Sequence, residues 1–229
     1  MPYFVRPMYQ EDLAQVAEID REAFPTQWPP DNYRRELENL LAHYITACDN
    51  IRAPEEPEAK VCLEQPPHGL VFRLNWWFKH NSFFNNGASP AGKQFIVGFA
   101  GIWVMADEAH ITNIAVRKRY QRQGIGELLL IAIIDLATEL KASMVTLEVR
   151  ASNTTAQNLY TKYGFIGVGL RRGYYTDNRE DAIIMSTESI ISASFQEHLQ
   201  QRKQALSRRL GMATIPVLAR NNPARPDQQ

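Results

Sequence analysis

The run Gln121-Arg122-Gln123-Gly124-Ile125-Gly126-Glu127 leads straight into Leu128-Leu129-Leu130, and a strand-like stretch, His110 to Val116, precedes it. Strand, glycine turn and helix start are the parts of an anion site. The first N–H groups of a helix have no partner inside it, and the helix dipole favours negative charge there. Glycine lets a backbone come close to a phosphate and take up positive φ. Arg122 adds a permanent cation with several donors. The spacing therefore predicts a cradle for a pyrophosphate. The third glycine of a dinucleotide fingerprint and the Gly-Lys-Ser/Thr of a triphosphate loop are both missing. A plain turn before a helix remains the alternative.

Two more side chains carry chemistry. In Met144 to Arg150, Val145, Leu147 and Val149 face one way and Thr146, Glu148 and Arg150 the other. Glu148 is thus either a carboxylate aimed into a cleft or a solvated glutamate on a half-exposed strand. Tyr160 lies about two turns into a helix that Ser152 or Asn153 caps and Gly164 closes. Its phenol is either a proton donor or a core aromatic, as Tyr163 is read to be.

The elements that must position these groups follow from periodicity. Tyr3 to Arg6 reads as a strand, Glu11 or Asp12 opens a helix, and a second helix spans about Asp31 to Ala42. Strands follow at His43 to Ala47, Gln94 to Ala106 (Gly98 and Gly101 inviting a bulge) and His110 to Val116. The helix Gly126 to Leu140 is apolar on nearly all sides, hence deeply buried. After the Glu148 strand and the Tyr160 helix come strands at Phe165 to Leu170 and Ala182 to Met185. The class is α+β, one domain over residues 1–186 with an insertion at about 49–93. That insertion is Pro- and Glu-rich, then aromatic (Trp76, Trp77, Phe83, Phe84). It reads either as a cover for the body or as a partner or membrane patch. Residues 187–229 form an extension. Its stripe Ile191, Phe195, Leu199, Leu206, Leu210 predicts a helix docked on the domain or a basic partner helix, and the end is frayed.

Composition excludes several classes. The chain of 229 residues has formal net charge zero, so no global field draws nucleic acid, and no direct nucleic-acid binding is expected. Cys48 and Cys62 lack metal or redox spacing, and the five histidines are scattered, so no metal site is expected. The first residues do not read as a signal peptide, and no apolar stretch is long enough for a membrane span. The default expectation is cytoplasmic.

The order of elements and the glycine loop resemble the GNAT superfamily of N-acetyltransferases. The segments TNIAV, YQRQGIGELLL, LEVRASNTTAQNLY, YGF and GYYTDNREDAIIM resemble its RimI branch, the ribosomal-protein alanine N-acetyltransferases. The resemblance implies the GNAT fold, a central mixed, twisted sheet. It implies acetyl-CoA as co-substrate, held by Arg122, Gln123, Gly124, Ile125, Gly126 and Glu127, with Asn153 contacting it. It also implies a strand that splays away from its neighbour, with the main chain of Ile114, Ala115 and Val116 against the pantetheine arm. Glu148 becomes the general base and Tyr160 the general acid. The expected acceptor is a protein N-terminal peptide, with alanine on a small-subunit ribosomal protein foremost. Its groove would be formed by Phe24 to Pro30 and Arg171 to Arg179, with Tyr174 and Tyr175 bonding the peptide or bracing the hairpin. A lysine side chain or small amine as acceptor, and a non-catalytic acyl-CoA-binding scaffold, are the rivals.

Overall fold

The computed structural model describes residues 3–24, 30–51 and 94–211. Seven strands form one sheet: β1 (Tyr3–Pro7), β2 (Ala42–Asp49), β3 (Phe95–Met105), β4 (Glu108–Val116), β5 (Met144–Arg150), β6 (Phe165–Tyr175) and β7 (Glu180–Thr187). Their spatial order is β1-β2-β3-β4-β5-β7-β6, and every neighbouring pair is antiparallel except β4 with β5. Among the described residues the α-helices are α1 (Leu13–Ala23), α2 (Pro30–Glu38), α3 (Ile125–Glu139), α4 (Thr154–Lys162) and, after the last strand, α5 (Ala193–Leu210). This is the expected α+β architecture.

Two apolar layers sandwich the sheet. Val145, Leu147 and Val149 pack with Leu128 to Ile134 of α3, all at most 5% exposed. On the opposite face Val16 and Ile19 of α1 and Tyr33 of α2 meet Tyr44, Ile96 and Phe99. A helix buried on all sides has no polar face to orient it, so α3 is held by both the sheet and the extension. Phe195, Leu199 and Leu206 of α5 belong to the same core as α3. Lys203 of α5 bonds Asp135 of α3 at 2.6 Å. The extension therefore docks on the domain.

Several boundaries differ from expectation. The first helix is preceded by a 3-10 turn, Gln10–Asp12. α2 stops at Glu38 rather than near Ala42, because the Asn39 side chain accepts the Leu41 N–H at 3.1 Å and Leu40 and Leu41 turn to solvent. β6 continues past Leu170 to Tyr175, since β7 pairs with it that far. The helix of the extension starts at Ala193, capped by Ser192, which leaves Ile191 outside it and exposed. Residues 52–93 of the expected insertion, both its Pro- and Glu-rich part with Cys62 and its aromatic part, the Pro25–Pro29 part of the expected groove and the end of the chain lie outside the described residues.

Candidate active site

The site begins where β4 and β5 part. The two strands pair from Glu108↔Met144 to Ile111↔Leu147 and no further. Beyond that point β4 runs on to Val116 along β3, and β5 runs on to Arg150 along β7. A shift of register at Gly101/Ile102 leaves Thr112 as an extra residue on β4 at this point. Such a bulge bends the bulged strand and ends its pairing on one side. The edge bearing Ile114, Ala115 and Val116 then no longer meets β5, and the Val116 carbonyl there accepts from the Gln121 side chain at 3.2 Å. Arg117 fixes the far end of this strand: its Nε bonds the Ile96 carbonyl at 2.8 Å, and its guanidinium pairs with Glu18 of α1 at 2.8 Å.

After β4 a 3-10 turn, Lys118–Tyr120, leads into the glycine loop. Arg122 and Gly124 both have positive φ, 63° and 91°. For arginine this conformation is uncommon, and such strain concentrates at working sites. The loop points the first N–H groups of α3 outward: Leu128 is the first to bond back, to the Gly124 carbonyl at 2.9 Å. Those of Ile125, Gly126 and Glu127 precede any i→i−4 partner. The side chains serve differently. Gln123 bonds the Arg119 carbonyl and the Tyr3 hydroxyl, each at 2.9 Å. Glu127 accepts from Lys162 of α4 (2.5 Å), Tyr163 (2.9 Å) and Arg209 of α5. Burial alone would raise the Glu127 carboxyl, but these hydrogen bonds outweigh it and hold it below the ordinary range. Of the residues expected to grip a cofactor, Gln123 and Glu127 thus spend their side chains on bracing the loop, which leaves their main chain. Arg122 is exposed.

Glu148 is the first β5 residue past the last β4–β5 pair. Its side chain is only 8% exposed, on the face away from α3. Its Oε1 accepts from Arg171 Nε and its Oε2 lies against His110 Nε2, both at 2.9 Å. His110 has no motif of its own and was missed among the scattered histidines; the parallel pairing of the two strands sets it beside Thr146, and nothing in either strand's sequence announces that register. Tyr175 connects the rest. Its hydroxyl approaches the Glu148 carbonyl at 3.5 Å and its ring carries Arg150 at 3.9 Å. Burial pushes its phenol up to about 12, against the Arg150 charge. Burial, with Tyr175 adding to it, holds the Tyr160 phenol well above its ordinary range, so it stays protonated at neutral pH. Tyr160 packs on Phe165 at 5.7 Å, and Leu159 beside it lines the approach to Gly126. Tyr175 thus neighbours both the Tyr160 phenol and the Glu148 main chain, and α4 reaches Gly126 of the helix mouth through Leu159. Asn153 caps α4, its Oδ1 accepting the Ala156 N–H at 3.1 Å.

The two expected acceptor residues separate. Tyr175 is wedged between Arg150 and Glu148, whereas Tyr174 is 45% exposed and meets it edge-on. Arg150 braces the hairpin turn through Asp177 (2.9 Å) and Glu180 (3.1 Å). No helix among the described residues is long and apolar enough to cross a membrane, and no cluster of metal-ligating side chains occurs among them.

Residues 45–165 match the model of the acetyltransferase (GNAT) family. A [ribosomal protein bS18]-alanine N-acetyltransferase of Escherichia coli K12 is 48% identical over 128 residues, 54% of this chain and 85% of that one. A Bacillus subtilis protein given the same activity provisionally is 35% identical over 79% of this chain and 92% of its own. The crystal structure of the ribosomal-protein-S18-alanine N-acetyltransferase from Escherichia coli superposes with a TM-score of 0.59 at 27% identity, covering 83% of this chain and 96% of that one. The chain belongs to the GNAT acetyltransferase family.

Proposed function

We propose that this acetyltransferase moves acetyl from acetyl-CoA to the α-amine of a protein N-terminus, with the N-terminal alanine of a small-subunit ribosomal protein as the acceptor. The observation that carries the reading is the position of Glu148. It is the first residue of β5 released from β4, and its carboxylate is shielded, 8% exposed, on the face away from α3. The names of the E. coli and B. subtilis relatives support the choice of acceptor.

The residues suit the diphosphate and arm of acetyl-CoA. The N–H groups of Ile125, Gly126 and Glu127 and the Arg122 cation hold the negative end. The backbone of Ile114, Ala115 and Val116 aligns the pantetheine arm, and an N–H there donates to the thioester oxygen as charge develops on it. Such a donor contributes a few kcal/mol in the transition state. Asn153 adds a contact while capping α4. Glu148 accepts the proton of the α-ammonium. At a pKa near ~8 that proton costs only about a kcal/mol to remove at neutral pH, whereas a lysine near ~10.4 costs several. Tyr160, held protonated, donates to the departing sulfur. Tyr174, exposed at the hairpin, contacts the acceptor peptide, and Tyr175 sets the wall behind it.

A panel of N-terminal peptides, assayed by release of free thiol, tests the acceptor. Peptides beginning with alanine are turned over, and the same peptides blocked at the α-amine are not. Glu148→Gln and Tyr160→Phe each lower kcat by about a hundredfold or more with acetyl-CoA affinity retained. Turnover of lysine side chains or polyamines in preference to free N-termini overturns the acceptor assignment.

A further inference from the structure

Behind Glu148 lies a polar row that the roles above leave unused. Thr146 Oγ1 is 2.6 Å from Glu108 Oε1 and 2.9 Å from His110 Nδ1. An ionised carboxylate only accepts, so the threonine hydrogen points at Glu108. The threonine oxygen must then accept from the ring, which fixes the hydrogen on Nδ1. His110 Nε2 is left facing Glu148 Oε2 at 2.9 Å. Two lone pairs do not sit at that distance; the contact requires one proton between imidazole and carboxylate. The pair is built to hold a proton, and His110, 28% exposed at its side chain, can pass it to water.

We infer that His110 takes the acceptor's ammonium proton from Glu148 and hands it to solvent, with Thr146 and Glu108 fixing its tautomer. The inference rests on Glu148 being the base. The pair starts with one proton already between Nε2 and Oε2. That proton leaves Nε2 for water; the N–H bond of the ammonium then breaks as an O–H bond forms on Glu148, and this proton moves on to Nε2 and restores the starting pair. One proton enters and one leaves, and the Nδ1–H stays directed at Thr146 throughout. The charges facing the ring suit this. Glu148 of β5 lies on one side and Glu108 of β4, through Thr146, on the other. Arg171 of β6 touches only the far oxygen of Glu148. Trp103 of β3, opposite His110 in register, brings no charge, its indole being bonded to Glu36 of α2.

The test is His110→Gln, which keeps a hydrogen-bonding side chain at this place but cannot titrate. The expected result is a kcat lower by about tenfold or more, an unchanged KM for acetyl-CoA, an altered rise of kcat/KM with pH, and partial rescue of His110→Ala by imidazole. Thr146→Val, which leaves both His110 and Glu148 in place, shifts the same pH dependence and loses severalfold in kcat; should His110→Gln not fold, this variant decides alone. Wild-type kcat and pH profile in these variants, while Glu148→Gln is inactive, overturn the relay and leave the base standing. Full activity of Glu148→Gln removes the base itself and is a different failure.

Discussion

The two sides of the cleft are built from opposite materials. The gripping side is apolar and closed. α3 is buried all round, and the Gly124 turn at its mouth is backed by Leu206, Leu210 and Arg209 of α5. Glu127 ties α3 to α4 and α5. The acceptor side is polar and open. Glu148, His110, Thr146 and Arg171 interact through charge and hydrogen bonds, and the β6 edge beyond them leaves Ile166, Val168 and Leu170 exposed. A diphosphate that never varies can be met by a rigid frame. A proton that must arrive and leave, and a peptide that must be chosen, need groups that water can reach. If that division holds, changes on the first side reach cofactor affinity and stability together, and changes on the second reach turnover and acceptor KM alone.

The sharpest way to break it is Gly124→Val. A side chain there meets Arg209 at 2.9 Å and Leu206 at 3.1 Å, on a backbone at φ 91° that β-branched residues do not tolerate. Calorimetry is expected to show acetyl-CoA affinity down by about 30-fold or more, the loss of one or two charge-assisted bonds, with the melting temperature also falling. Leu206→Ala attacks the same frame from behind. It leaves a cavity under the loop and costs about 2–4 kcal/mol of stability by denaturant unfolding. If stability falls and cofactor affinity does not, α5 supports the core but not the grip. On the other side, Tyr174→Ala is expected to raise the KM for peptide severalfold and leave acetyl-CoA affinity and stability unchanged. A loss of stability in that variant would mean the exposed ring braces the hairpin after all.

The same contrast decides what could be read from the chain. The gripping side is local in sequence: a glycine turn, an apolar helix and a cap at Asn153 all declare themselves within a few residues. The alternation of Val145, Leu147 and Val149 placed Glu148 on the correct face because one face of β5 is wholly buried. The proton path is not local. His110 and Glu148 are made neighbours by a parallel pairing, and parallel register leaves no mark in either strand. The ends of α2 and β6 were misjudged for a related reason. Leu40 and Leu41 look like helix core until Asn39 ends the helix and turns them outward. β6 is an edge strand, where exposed apolar residues blur the alternation that marks a boundary. The spare hydrogen-bonding capacity of Gln123 and Glu127 could not be assigned either, since Tyr3, Lys162 and Arg209 reach them only through the fold.

The smallest effect concerns the turn that closes the acceptor side. Glu180 accepts the Ser152 N–H at 2.7 Å and pairs with Arg150, which also holds Asp177 and the Tyr175 ring. The bonds from Ser152, more than those from Asn178 and Arg150, push its carboxyl down to about 2 from an ordinary 4.5. A carboxyl depressed in the folded state lends its stabilisation above its unfolded value and loses it as the pH falls through the folded one. The turn is therefore expected to keep its contacts from neutral pH through 4.5 and to release them only toward 2. The amide proton of Ser152 reports this directly: its chemical shift should stay flat down to about pH 3 and move below it. In Glu180→Gln that titration disappears. A midpoint near 4.5 in the unaltered protein would mean that the hairpin is open in solution, and that Tyr175 is not held against Glu148 by it.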